Sequence, residues 1–187
     1  MVRIFLQDII EDLRFEDLPA NWNSFGLESF SKSKKLWDYQ EDALKNAIKV
    51  LWKYFEDFVD YQRDVEASQE RKQKFFKWYK DNGLEENLDI MLDGRKRNIY
   101  NLLTEYYPHE DKKISYEHFI NRMCFWMATG SGKTLVIIKL IQVLKDLIRR
   151  REIPPYDILV LTHRDDLIEQ LKKHVDEFNY ANETKII

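Results

Sequence analysis

The chain has 187 residues, of which 44% are hydrophobic and 34% are charged. This length supports one sizeable core, and the composition excludes an intrinsically disordered chain and a membrane protein. The formal net charge of −3 excludes a general electrostatic attraction to nucleic acid, so any contact with DNA must come from local patches.

The N-terminal part of the sequence changes character near residue 36. Residues 1–35 mix acidic and aromatic residues without a clear period, and Pro19, Gly26 and a Ser/Lys tract at 31–35 mark turns, so an irregular lead-in is predicted. From Trp37 onward, the apolar residues fall at the three-and-four spacing of one helix face, which predicts a helix of about six turns. These apolar residues are Leu44, Ala47, Ile48, Leu51, Phe55, Phe58 and Val59.

Residues 62–118 are strongly charged and aromatic, and Gly83, Gly94 and Pro108 interrupt them. Two or three helices joined by turns are predicted. The lysines and aromatic residues at 74–79 could pair and stack with nucleic acid. The alternative is a set of amphipathic helices with solvated charged faces, and the interspersed acidic residues favour it.

From residue 119 the pattern becomes that of an α/β protein. The predicted elements are a strand at 123–127, a helix at 133–150, a strand at 158–161, a helix at 165–178 and the start of a strand at 185–187. This alternation implies a parallel sheet with right-handed crossovers. The only cysteine, Cys124, lies in the first strand and is predicted to be a buried structural residue in a reducing compartment. No apolar run reaches transmembrane length, so a cytoplasmic location without membrane contact is expected.

The segment Ala128–Thr134 reads Ala-Thr-Gly-Ser-Gly-Lys-Thr and joins the predicted strand to the predicted helix. A triphosphate is best held by several backbone N–H groups aimed at one point, and glycines allow the chain to curl tightly enough for this at a helix N-terminus. Lys133 is expected to reach the β and γ phosphates, and the Thr134 hydroxyl is expected to coordinate Mg²⁺, which gives both residues a catalytic role. The predicted ATP-binding residues of the loop are Thr129, Gly130, Ser131, Gly132, Lys133 and Thr134. The generic pattern has one more glycine, at the position of Met127.

Hydrolysis also requires an acidic residue on the metal. Asp165 and Asp166 are separated from the end of the predicted strand by three residues, and Asp93 lies upstream of the loop. Neither position suits a metal ligand at a strand end, so we expect that residue to lie outside this chain.

The run Met127–Thr134 resembles the first motif of superfamily two helicases and translocases, especially the motor subunits of type I and type III restriction enzymes. The segment Leu36–Leu44 is similar to the part of that family in which a Tyr-Gln pair begins a helix and the glutamine reads adenine. The resemblance implies that Gln40 hydrogen-bonds the adenine and that Tyr39 or Trp37 packs near it.

The segment Ile158–Gln170 is similar to the next motif of the family, in which a loop lies against the DNA backbone. The resemblance implies phosphate contacts by Thr162, His163 and Arg164.

This resemblance implies an α/β fold of the RecA-like P-loop type, with a parallel sheet that is incomplete here, an N-terminal helical extension and a helical insertion. Residues 1–35 are the expected lead-in, 36–118 a helical region with the adenine-binding motif and a charged insertion, and 119–187 the first part of the ATPase lobe.

The resemblance implies an N-terminal ATP-binding portion of a DNA translocase, with ATP, Mg²⁺, duplex DNA and restriction–modification subunits as partners. The acidic motor motif, the coupling motif, the second lobe with its arginine finger and any nuclease residues of the family have no counterpart in the sequence. We therefore expect nucleotide binding without efficient turnover.

Two other functions are compatible with the loop. One is a self-contained P-loop kinase or a nucleotide-dependent regulatory protein, which would need its own metal acid and a phosphate-acceptor site. The other is an interaction module with a vestigial loop, in which the helices of 62–118 dock a partner.

Overall fold

The structure is a computed structural model that describes residues 5–57, 69–81, 89–118, 122, 124–162 and 164–186. Its helices are α1 (Phe5–Asp12), α2 (Ala20–Asn23), α3 (Asp38–Trp52), α4 (Gln69–Asp81), α5 (Arg97–Tyr106), α6 (Lys133–Arg149) and α7 (Asp165–Asn182). Its strands are β1 (Ser29–Ser31), β2 (Lys34–Lys35), β3 (Ile90–Met91) and β4 (Lys113–Ile114). Short 3₁₀ turns occur at Phe15–Asp17 and Tyr116–His118, and a π turn at Lys53–Asp57.

The chain divides into two units. The main unit comprises Arg3–Ser68 and Trp126–Ile187, and the inserted unit comprises Met1–Val2 and Gln69–Phe125. None of the helices that the structure describes is long and apolar enough to cross a membrane.

The lead-in of the main unit is more ordered than the sequence predicts. Residues 5–35 form two helices, a 3₁₀ turn and the antiparallel pair β1–β2. Trp22, Leu27 and Phe30 are at most 2% exposed and belong to the main hydrophobic core. The prediction of an irregular lead-in was therefore wrong, because several short elements each bury one or two large side chains without producing a helical period.

Helix α3 and the π turn that follows it confirm the helix predicted from Trp37, as far as Asp57. Its first turn is capped, because the Gln40 side chain accepts the Trp37 backbone N–H at 2.9 Å. Leu44 and Ile48 are fully buried against the core. Phe58 and Val59 lie outside the described residues.

Helices α6 and α7 confirm the two helices predicted in the last third of the chain. Both end in the same way, with a non-glycine residue in the left-handed region: Arg151 at φ 62° and Glu183 at φ 52°. The next N–H returns to a carbonyl five residues earlier, from Glu152 to Leu147 and from Thr184 to Asn179. This pattern satisfies carbonyl groups of the last helical turn.

The predicted parallel sheet is not formed in the described residues, where the only sheets are the two antiparallel pairs β1–β2 and β3–β4. Residues 124–127, 158–161 and 185–186 have no regular secondary structure. A strand needs a neighbour to satisfy its backbone hydrogen bonds, and none pairs with these segments in the described part of the chain. Apolar side chains in the first two segments are consequently accessible, with Trp126 97% and Leu161 81% exposed, whereas Ile186 in the third segment is buried in the main core. Cys124, predicted to be buried, is exposed as well.

The inserted unit contains α4, α5 and the pair β3–β4. The aromatic residues of α4 pack within the unit: Phe75 and Tyr79 are buried with their ring centroids 5.1 Å apart. Burial raises the pKa of Tyr79 to about 12. Because these two rings pack against each other inside the unit, the structure favours the amphipathic-helix alternative for this region.

Candidate functional site

The loop Ala128–Thr134 leads directly into α6. Gly130 and Gly132 both have positive φ, at 80° and 72°, a conformation that side-chain-bearing residues rarely adopt. A Cβ atom on Gly132 would lie 2.6 Å from Nε2 of Gln40, whereas one on Gly130 would meet no atom within 4 Å. Position 132 therefore requires glycine for two separate reasons, its backbone conformation and the close approach of a neighbouring side chain.

The loop leaves several backbone donors available. Ser131 N–H donates to the Ala128 carbonyl at 3.2 Å and closes a turn. Among the described residues, no backbone carbonyl accepts from the N–H groups of Gly130, Gly132, Lys133 and Thr134. The last two lie at the N-terminus of a 17-residue helix, where the peptide dipoles favour an anion.

The ammonium group of Lys133 lies against the beginning of the loop. Its Nζ donates to the Ala128 carbonyl at 2.8 Å and to the Met127 carbonyl at 3.2 Å, and the residue remains exposed. The beginning of the loop thus lies close to the Lys133 ammonium near its end, which places a positive charge beside the available N–H groups.

The N-terminus of α3 is attached to this loop. The Ser131 carbonyl accepts two hydrogen bonds, one from Gln40 Nε2 at 2.8 Å and one from the Tyr39 hydroxyl at 3.1 Å. The family resemblance implied an adenine contact for Gln40, and the structure places its side chain against the loop. The sequence did not predict the Tyr39 contact, because a tyrosine at a helix start carries no signal for a partner 92 positions away.

The amide of Gln40 has only one orientation that satisfies both neighbours. Its Oε1 must face the Trp37 N–H, and its Nε2 must face the Ser131 carbonyl. The residue is 2% exposed, so these contacts hold the amide firmly. A primary amide has two lone pairs and two N–H protons, so one of each remains after the two protein contacts.

The Ser131 hydroxyl is buried and has no hydrogen-bond partner among the described residues. An unsatisfied buried hydroxyl costs free energy, and an oxygen-rich ligand in the loop would satisfy it. Together with the available N–H groups and the lysine, this hydroxyl shows that the residues present suit a nucleotide polyphosphate.

The family model for the type III restriction enzyme, res subunit, matches residues 33–187. The chain belongs to this family. Membership implies a RecA-like P-loop fold and a nucleoside triphosphate ligand, and it associates the chain in general terms with DNA and restriction–modification subunits. No curated protein and no solved structure gives a significant match.

In this member of the res subunit family, the loop before α7 is exposed. Thr162 is exposed, and the Arg164 guanidinium makes two hydrogen bonds to the Asp166 carboxylate, with the Nε contact at 2.9 Å. His163 lies outside the described residues. The structure therefore places Arg164 at the surface, paired with Asp166.

The acidic residues considered for a metal have other partners or lie apart. Asp166 pairs with Arg164, and hydrogen bonds from the Arg95 side chain and backbone lower the pKa of Asp93. Within the described ranges, no group of three or more His, Cys, Asp or Glu side chains is arranged to hold a metal ion. A cavity of about 430 Å³ in the inserted unit contains none of the predicted nucleotide-binding residues.

Proposed function

We propose that this chain is the ATP-binding portion of a DNA helicase or translocase motor of the restriction-enzyme type. The observation that carries the proposal is the loop Ala128–Thr134, whose two left-handed glycines leave backbone N–H groups available beside the Lys133 ammonium. Family membership over residues 33–187 agrees with this function.

In the proposed site, the available N–H groups of Gly130, Gly132, Lys133 and Thr134 bind the phosphate oxygens. Lys133 moves from the loop carbonyls to the β and γ phosphates, and Thr134 contributes its hydroxyl to Mg²⁺. The metal ion supplies charge neutralisation between the phosphates when it is bound. The chain itself contributes orientation and positive potential, and Thr129 completes the loop on the side facing the solvent.

The adenine base is assigned to Gln40, whose amide has to be uncovered for this contact because the residue is 2% exposed. The remaining lone pair on Oε1 and the remaining N–H on Nε2 complement the N6 donor and N7 acceptor of adenine. Guanine carries an acceptor, O6, in place of N6, and this oxygen would face the Gln40 carbonyl oxygen. The orientation imposed by Trp37 and Ser131 therefore favours ATP over GTP.

DNA is assigned to the loop before α7, with Thr162, His163 and Arg164 as phosphate contacts. The segments predicted as strands, at 123–127, 158–161 and 185–187, are assigned to a parallel sheet that the described residues do not form. Restriction–modification subunits are the proposed partners. Because the sequence has no counterpart of the acidic motor motif or of the second lobe, this chain binds ATP but does not turn it over efficiently.

A thermal-shift titration with Mg·ATP and Mg·GTP tests the proposal. A ligand that binds only the folded state stabilises it by about 2.7 kcal/mol at about 100 times its Kd, which raises Tm by several degrees. We expect a shift with ATP, a smaller shift with GTP, and none with ATP in Lys133→Ala. Lys173→Ala, which removes an exposed lysine of α7, is the matched control. Equal shifts in wild type and Lys133→Ala would refute the assignment of the loop.

For Gln40→Ala, the preference for ATP over GTP should disappear. An unchanged preference would remove Gln40 from the base site. Transfer of phosphate to an acceptor would favour the kinase alternative, because a motor of this family transfers phosphate only to water.

A further inference from the structure

The peptide group between Ser131 and Gly132 has an unusual set of partners. Its carbonyl oxygen accepts from both Tyr39 and Gln40, so both lone pairs of that oxygen are used. Its N–H, on Gly132, donates to no backbone carbonyl in the described part of the chain. One side of the peptide is therefore fully engaged by α3, and the other is available.

The orientation of this peptide follows from these contacts. No cis peptide bond occurs in the described residues, and in a trans peptide the C=O and N–H bonds point in opposite directions. Because the carbonyl points at the N-terminus of α3, the Gly132 N–H points away from it.

The same contacts change the charge distribution of the peptide. Hydrogen bonds in a chain polarise one another, so donors on a carbonyl make the N–H of the same peptide a stronger donor. Two donors act on Ser131, and the shorter contact comes from a side chain that is 2% exposed, where solvent competes least. The Gly132 N–H is thereby both oriented and strengthened as an anion donor.

We infer that Tyr39 and Gln40 are positioning residues for phosphate binding, acting on the loop through the Ser131 carbonyl. This inference rests on the proposed function, since it assigns the Gly132 N–H to the phosphates. It gives Gln40 a role that is separate from base recognition, and it gives Tyr39 a role that does not require a base at all.

Binding of Mg·tripolyphosphate, which has no base, tests the inference by titration calorimetry on the full 187-residue chain. Tyr39→Phe removes one hydroxyl and keeps the ring, and Tyr39 is 48% exposed, so the fold should be retained. We expect this variant to bind tripolyphosphate about three- to tenfold more weakly, as for the loss of one hydrogen bond. Gln40→Ala should show at least the same loss. Tyr180→Phe, at a residue that is 90% exposed, should bind as the wild type does.

The Gly132 amide proton provides a second measurement, on the ligand-free chain. The chain has only five glycines, so this signal can be assigned in a ¹⁵N-correlated NMR spectrum. In Tyr39→Phe it should move to lower frequency, because the N–H is less polarised while the aromatic ring remains. Tyr180→Phe should leave it in place.

Unchanged tripolyphosphate affinity in Tyr39→Phe would overturn the inference, and so would a loss of affinity without a Gly132 shift. If the wild-type chain binds neither ATP nor tripolyphosphate, the proposed function fails for this chain, and the Gly132 shift alone then decides whether Tyr39 acts on the peptide. An effect of Gln40→Ala on ATP but not on tripolyphosphate would restrict Gln40 to the base.

Discussion

The ring of Phe30 lies edge-on to the ring of Phe178, with centroids 5.0 Å apart and planes at 66°. Both residues are fully buried, and Asn182 Nδ2 donates to the Phe30 carbonyl at 3.2 Å nearby. Phe30 belongs to the lead-in and Phe178 to α7, so the first and last segments of the main unit pack against each other in the same hydrophobic core.

The lead-in should consequently contribute strongly to stability. Trp22 is fully buried, so Trp22→Ala should lower the free energy of unfolding by about 3–5 kcal/mol. Trp126 is 97% exposed, and Trp126→Ala should change it by less than about 0.5 kcal/mol. Urea denaturation of both variants checks the comparison. Equal losses would mean that the lead-in does not belong to the core.

Substitution by alanine should have increasingly large effects at three glycines, Gly94, Gly130 and Gly132. Gly94→Ala should be close to neutral, because no atom lies within 4 Å of its Cβ position and its φ is not positive. Gly130→Ala should cost about 1–2 kcal/mol through its left-handed backbone alone. Gly132→Ala should cost more and abolish ATP binding, because its Cβ also displaces Gln40. Unfolding free energies and ATP titrations measure the order, and ATP binding by Gly132→Ala as tight as that of the wild type would contradict it.

Lys139 is a buried cation in α6. The residue is 7% exposed, and burial lowers its pKa from 10.5, while the charges of Glu28 and Asp146 oppose this shift. Because the folded pKa lies below the unfolded value, the unfolded chain binds the proton more tightly, and the lysine destabilises the fold at neutral pH. Lys139→Met should therefore be more stable near pH 7, by roughly 1 kcal/mol.

The difference in free energy of unfolding between Lys139→Met and the wild type should shrink as the pH rises from the pKa of Lys139 in the folded chain toward 10.5. Over this range the lysine loses its proton in the folded chain before it does so in the unfolded chain. Urea titrations of wild type and variant at several pH values give this difference. Lys173→Met, at an exposed site of α7, is the matched control because it makes the same substitution outside the core. A difference that is constant with pH would show that the charge of Lys139 is not responsible.

Arg164 should contact DNA more strongly once its acidic neighbour is neutralised. Asp166→Asn removes the carboxylate that binds the guanidinium, so DNA affinity should rise roughly threefold at low salt, while Arg164→Ala should lower it. Fluorescence anisotropy with a labelled duplex is a suitable assay. Glu183→Gln releases Lys32 near the opposite end of α7 and should leave the affinity unchanged. An equal rise in both variants would reflect net charge rather than this contact.

The helices were largely predictable from the sequence, because an apolar face at helical spacing is a local signal. The bounds of α6 and α7 follow it closely. The association of Gln40 with the glycine loop was also predictable, but only through the family resemblance, since nothing local connects two segments 91 residues apart.

The strands and the lead-in were not predictable in the same way. A strand depends on a partner, and the apolar run Ile158–Leu161 has the composition of a buried strand but no paired neighbour in the described residues. The lead-in buries Trp22 and Phe30 through short elements with no repeating spacing. The double hydrogen bond on Ser131 depends on three-dimensional positions that no sequence pattern encodes.

The hydrogen bonds from Tyr39 and Gln40 to Ser131 join the two ends of a long segment of the chain, residues 40–131. This segment contains the entire stretch Gln69–Phe125 of the inserted unit. The entropy lost on closing a flexible loop grows only with the logarithm of its length, about 0.6 kcal/mol for each doubling. Variants with much shorter or longer insertions should therefore retain the same phosphate loop with little change in stability. A reporter domain could therefore be inserted within the stretch Gln69–Phe125 without disturbing the phosphate loop.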